Sequence, residues 1–184
     1  MSPLQPPPDA PSRTRALDVG AGIGRVTQTV LLYLFSDVVL VEPVEKFVQQ
    51  AFQNCQESLG MTPQPPPLKR WKGIAEKTKS VTFLQSSLQE FDPSHPQANS
   101  RRLGRLGYDG DTESCFDVIW CQWCLGHLDD DGLVSFFHRA KASLRSASES
   151  LIVVKENLCR NQPDGGPRTV FDQQDSSLTR SAPD

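Results

Sequence analysis

Apolar residues in this chain gather in short runs, with longer stretches of helical periodicity between them. The runs ALDV (16–19), DVVLVE (37–42), VTFLQ (81–85), FDVIWCQ (116–122) and SLIVVKE (150–156) read as strands. Several are almost uninterrupted, as strands covered on both faces must be. Between the second and third runs, Phe47, Val48, Ala51, Phe52, Cys55 and Leu59 form the stripe of an amphipathic helix. Leu133, Phe136, Phe137, Ala140 and Leu144 repeat the pattern between the fourth and fifth. Asp129 to Asp131 supply a cap and negative charge where that helix begins. A shorter helix follows Gly24, with Val26, Val30, Leu31 and Leu34 turned inward. This alternation predicts an α/β fold, a doubly wound parallel sheet of five strands. Ligands of such sheets bind beyond the carboxyl ends of the strands, at the switch point.

Proline marks the interruptions. Five of the 15 prolines precede residue 12, and four more fall at 63–67. Residues 1–15 read as a proline-rich leader, and 16–160 as the folded domain. Stretches 60–80 and 93–114 read as surface insertions, and 161–184 as a further segment. Arg101, Arg102 and Arg105 in the second insertion read as part of a solvated loop. A length of 184 residues suits one domain with a sizeable core. A net charge of −3 argues against a bulk electrostatic grip on nucleic acid. No run approaches the ~18–20 apolar residues of a membrane helix, and no secretory signal pattern is visible. Five cysteines without a framework spacing read as reduced thiols, so the expected setting is cytoplasmic and nuclear. A monomer is expected.

The strand ends carry the chemistry. LDVGAGIGR joins the first strand to the first helix, and Gly20, Gly22 and Gly24 let the backbone turn tightly against a ligand. The dinucleotide pattern G-x-G-x-x-G fails, because Arg25 stands at its last position. The spacing is D-x-G-x-G-x-G, the pattern of S-adenosylmethionine-dependent methyltransferases. Glu42 ends the second strand and has the place of an acid that accepts from ribose hydroxyls.

With these residues placed, LDVGAGIGRVT, LVEPVEKFVQQA, LQEF, FDVIWCQWCLGHLDDDGL, LIVVKEN and FDQQDSSLTRS together resemble the α-N-terminal protein methyltransferases. Those enzymes act on chains beginning Xaa-Pro-Lys. The resemblance implies a Rossmann-like sheet, S-adenosyl-L-methionine as cofactor, and methylation of the α-amine of protein N-termini. It implies that Gly20, Gly22, Arg25, Glu42, Leu88, Gln89 and Gln122 hold the cofactor, with Arg25 on its carboxylate and Leu88 and Gln89 beside its adenine. Trp123 would wall the peptide channel, and Asn157 would hold the substrate amine. Asp175 and His127 would act as bases. Asp172 and Ser177 would hold the substrate lysine. Glu42 and Glu156 stand where many family members carry Asp. Measured against the family, the chain reads as short at both ends, with the C-terminal antiparallel strand pair expected to be missing.

The stretch CQWCLGH (121–127) also invites metal and redox readings. A structural zinc takes four ligands, and Cys121, Cys124 and His127 supply three. A reactive dithiol usually opens a helix, whereas this pair ends a strand. The cysteines therefore read as small apolar filler, with no metal expected, and Gln122, Trp123 and His127 as the acting residues. Two rival readings stay open: a small-molecule methyltransferase, and a catalytically impaired, cofactor-binding interaction protein.

Overall fold

A computed structural model describes residues 13–60, 70–110 and 115–182. The five apolar runs become β1 (Arg15–Val19), β2 (Asp37–Glu42), β3 (Ser80–Gln85), β5 (Val118–Gln122) and β6 (Leu151–Lys155). They lie parallel in the order β3-β2-β1-β5-β6, with the switch point between β1 and β5. Side chains alternate across the sheet. Leu17, Val19, Val39 and Val41 pack on the face covered by α3 (Asp130–Ala142), with Phe136 and Ala140. Ala16, Val38 and Leu40 pack on the other face under α2 (Glu45–Leu59), with Val48, Ala51 and Cys55. Asp129 caps α3, its Oδ1 accepting from the Gly132 amide at 2.7 Å.

Three expectations are corrected. The sheet has six strands: β4 (Arg101–Gly107) adds antiparallel to β3 as an edge. Its sequence, RRLGRLG, hides it, because a half-exposed edge strand is held by its backbone ladder and needs few apolar side chains. An antiparallel pair is also present in the C-terminal stretch. β7 (Thr169–Asp172) and β8 (Ser177–Arg180) form a separate ribbon around the D-x-x-D-S-S motif. Finally, the helix after Gly24 opens with a π-helical turn, Thr27–Leu31, before α1 (Leu32–Leu34). The wider turn advances the buried face, so Leu31 and Leu32 point inward and Leu34 is exposed. The prolines at 63–67 lie outside the described residues, but Trp71 and Ile74, just after them, are core residues.

A buried carboxylate fastens β4 and Arg13 to the sheet. Asp37 accepts from Arg13 Nε at 2.7 Å and from Ser80 Oγ, and lies 3.4 Å from Arg105 Nη2 on β4. Removing one side of a buried ion pair leaves the other charge uncompensated, at a cost of about 3–5 kcal/mol. Asp37→Ala is therefore expected to lower stability by about 3 kcal/mol and to speed hydrogen exchange in β4, read by denaturant melts and amide exchange. A loss below about 1 kcal/mol, the size of an exposed pair, would contradict this role.

Candidate active site

The glycine loop leaves β1 at the switch point, with φ of 61°, 56° and 80° at Gly20, Gly22 and Gly24. Glu42, at the end of β2, holds it in place. Its Oε2 accepts from the Gly22 amide at 2.8 Å and its Oε1 from the Val44 amide at 2.9 Å. A carboxylate offers about four lone-pair sites, so these bonds leave Glu42 able to accept from a ligand. Behind the loop, buried Asp18 accepts from the Thr27 amide at 3.0 Å and from its hydroxyl at 2.5 Å. Burial pushes the Asp18 carboxyl up to about 7, against the pull of the Thr27 bonds, with the Glu42 charge adding to the rise.

Two cavities flank this loop. One, of about 440 Å³, has apolar walls from Val44, Phe47, Leu88 and Leu128, with Glu42 and Gln89 as polar groups. The other, of about 290 Å³, holds Asp18, Arg25 and Gln122. Arg25 has no carboxylate partner among the described residues, and the Gln122 carbonyl accepts from the Trp120 indole at 3.2 Å. A third cavity, of about 260 Å³, gathers His127, Glu156, Asn157, Asp175 and Ser177. Trp123 lines all three, and His127 lines the first and third.

Trp123 reaches this position through an unusual backbone. Its φ is +56°, a left-handed conformation that costs a bulky residue about 1–3 kcal/mol unless its surroundings enforce it. Its amide donates to Lys155 O at 3.0 Å. The next two amides, of Cys124 and Leu125, both donate to Glu156 Oε1, at 2.8 and 3.0 Å. A 3₁₀ turn (Leu125–His127) follows and presents His127. Two cations approach the indole, with Lys155 Nζ 4.6 Å and the Arg25 guanidinium 6.0 Å from its ring. Cys121 and Cys124 are buried beneath this turn, and their mutual hydrogen bond and burial push the Cys124 thiol upward. Cys124 packs against Gly20, where any side chain would collide with it.

The β7–β8 ribbon closes the third cavity. Arg180 donates to Leu128 O at 2.7 Å and to Asp130 Oδ1 at 2.9 Å. Gly126 permits the approach, since a Cβ there would stand 2.9 Å from Leu178 O. Asp175 accepts from the Ser177 amide at 2.9 Å. Hydrogen bonding from Ser177 holds the Asp175 carboxyl below the usual carboxylate range, with the nearby His127 adding to the effect. Asp172 is not brought into the cavity lining; it sits exposed on β7, accepting from the Gln174 amide at 2.8 Å. Every other cofactor-side and substrate-side residue named from the sequence lines one of the three cavities. Lys155, Phe47 and Arg180 were given no site role from the sequence, and Glu156 was noted without one. Only Glu156 left a signal, as an acid at a strand end.

A family model described as AdoMet dependent proline di-methyltransferase matches residues 5–184. The chain belongs to this family. It is 39% identical over 168 residues to alpha N-terminal protein methyltransferase 1 of Arabidopsis thaliana, covering 91% of this chain and 46% of that protein. It is 32% identical over 178 residues to N-terminal Xaa-Pro-Lys N-methyltransferase 1 of Homo sapiens, covering 96% of this chain and 60% of that one. A solved SAM-dependent methyltransferase of Leishmania major superposes with a TM-score of 0.58 at 27% identity, over 91% of this chain and 49% of that one. The chain thus spans about half the length of the curated relatives it matches.

Within this methyltransferase fold, Asp18 gives a measurable signature. Its pKa is raised from 3.8 to about 7 in the folded chain. The folded state therefore holds the proton more tightly than the unfolded one, so the stability linked to Asp18 falls as pH climbs through that window. The full cost, reached above pH 7, is roughly 4 kcal/mol. Asp18→Asn is expected to flatten the decline in stability between pH 4 and 7 relative to the parent. Parallel pH profiles in urea melts would refute the raised pKa.

Proposed function

We propose that the chain carries the catalytic half-site of a protein α-N-methyltransferase that uses S-adenosyl-L-methionine and accepts chain starts of the type Xaa-Pro-Lys. One observation carries this reading: Trp123 and His127 are the common wall between a glycine-loop cavity and a cavity that gathers Asn157 and Asp175. A group bound on the loop and an amine held by Asn157 would meet there.

The residues present suit the cofactor. Apolar walls at Val44, Phe47 and Leu88 fit an adenine ring, and Glu42 keeps acceptor capacity for a ribose diol. Arg25, free of carboxylate partners among the described residues, fits a carboxylate. Gly22 has open space where a side chain would stand, so a ligand can approach its backbone closely. When bound, the cofactor supplies a methyl group on a sulfonium.

The chain's own residues then have two tasks. An α-amine has a pKa of about 7.7–8.0, so much of it is protonated at neutral pH and has no free lone pair. Asn157 can accept from an amine N–H and fix the lone pair's direction, the positioning on which a displacement depends. Asp175, held ionised by its Ser177 bonds, attracts the ammonium, and His127 offers a ring nitrogen beside it for the departing proton. A proline at the second position fixes φ and favours an extended chain start in the cleft. A lysine at the third position suits an acidic contact. Asp172 would supply that contact only if the substrate extends beyond the cavity, along β7.

Calorimetry with S-adenosylhomocysteine and a methyl-transfer assay on a Ser-Pro-Lys peptide test the proposal. Glu42→Ala is expected to weaken S-adenosylhomocysteine by about 1–3 kcal/mol; an unchanged dissociation constant would remove Glu42 from the ribose site. Asp175→Asn is expected to leave that affinity unchanged, slow transfer at pH 7, and recover part of the rate at high pH, where the amine is already neutral. Parental transfer at pH 7 would take Asp175 out of the reaction.

A further inference from the structure

We infer that Glu156 is the positioning residue that sets the left-handed turn at Trp123, and through it the wall shared by the cofactor-side and amine-side cavities. Only its affinity readout rests on the proposed function. The end of β6 grips this turn with successive bonds. Lys155 O receives the Trp123 amide at 3.0 Å. Glu156 Oε1 receives the amides of Cys124 at 2.8 Å and Leu125 at 3.0 Å. Three consecutive donors at the start of the 3₁₀ turn are thereby satisfied from one strand end.

A single carboxylate oxygen has two lone pairs and can accept both amides. Charge-assisted bonds of this kind are roughly twice as strong as neutral ones, and the carboxylate also complements the positive end of the short turn. It acts beside the Trp123 amide bond to Lys155 O in holding an aromatic residue at a φ of +56°. The turn cannot shift in isolation. Cys124 is packed against Gly20 of the glycine loop, and Gly126 against Leu178 of β8. A displaced turn would therefore disturb the cofactor loop and the ribbon together. Glu42 and Asp175 differ in this respect, since Glu42 lines only the glycine-loop side and Asp175 only the amine side.

Tryptophan fluorescence reads the turn directly. Of the three tryptophans, Trp71 is 1% exposed, Trp120 is half-buried on β5 and Trp123 is 51% exposed, so the Trp123 signal is read as the difference between a Trp120→Phe chain and the same chain also carrying Trp123→Phe. Glu156→Ala, which removes the acceptor of both amides, is expected to change acrylamide quenching of that signal at least about two-fold and to weaken S-adenosylhomocysteine about ten-fold, the scale of one charged hydrogen bond. Glu156→Asp, with its charge on a shorter arm, is expected to fall between the two. Parental quenching in a folded Glu156→Ala overturns the inference, whatever its activity. If Glu156→Ala does not fold, Glu156→Asp decides: a partial shift supports the inference, and parental quenching overturns it. A parent that fails to bind S-adenosylhomocysteine defeats the proposed function and leaves the quenching test intact.

Discussion

The left-handed backbone at Trp123 is the constraint on which the site depends. A strand leaving a parallel sheet normally runs on into a loop or helix. Here β5 ends, the chain reverses its hand for one residue, and the following amides turn toward the end of β6. That reversal puts one indole on all three cavities. With a right-handed residue at 123, the 3₁₀ turn would point elsewhere and His127 would leave the wall it shares with the glycine loop. A strained residue beside carboxyl groups of shifted pKa is a recurrent feature of functional sites.

Charges beneath and around this turn do separate work. Asp18 and Glu42 both serve the glycine loop, but at different depths. Asp18 is sealed and made reluctant to ionise, whereas Glu42 stays at the rim of a cavity. Asp175 lies on the surface, and its bonds to Ser177 keep it charged. Three carboxylates in one site thus carry different electrostatic roles, set by burial in one case and by hydrogen bonding in another. Asp37, at the opposite end of β2, belongs to the frame and not to the site: it ties Arg13 and β4 to the sheet.

What the sequence disclosed, and what it hid, follows from range. The glycine loop was legible because D-x-G-x-G-x-G is a local pattern whose residues act through their own backbone. The parallel strands and their helices were legible from periodicity, and the acid at the end of β2 from its spacing to the loop. β4 was not legible, because RRLGRLG has the composition of a loop and becomes a strand only beside β3. The exposure of Leu34 was hidden because a π-helical turn breaks the period that the eye follows. The role of Glu156 toward Cys124 and Leu125 spans 32 and 31 residues, which no local motif records. The resemblance grouped Asp172 with the substrate site, yet the ribbon leaves it outside the cavity that holds Asp175 and Ser177.

As proposed, this cleft brings a cofactor's methyl group to a free chain-start amine. The most direct measurement is tandem mass spectrometry of a Ser-Pro-Lys peptide after incubation with the chain and S-adenosylmethionine, beside the same peptide with its α-amine acetylated. Added methyl mass is expected on the first residue of the free peptide and none on the blocked one. Methylation of the lysine side chain, or equal labelling of both peptides, would contradict it.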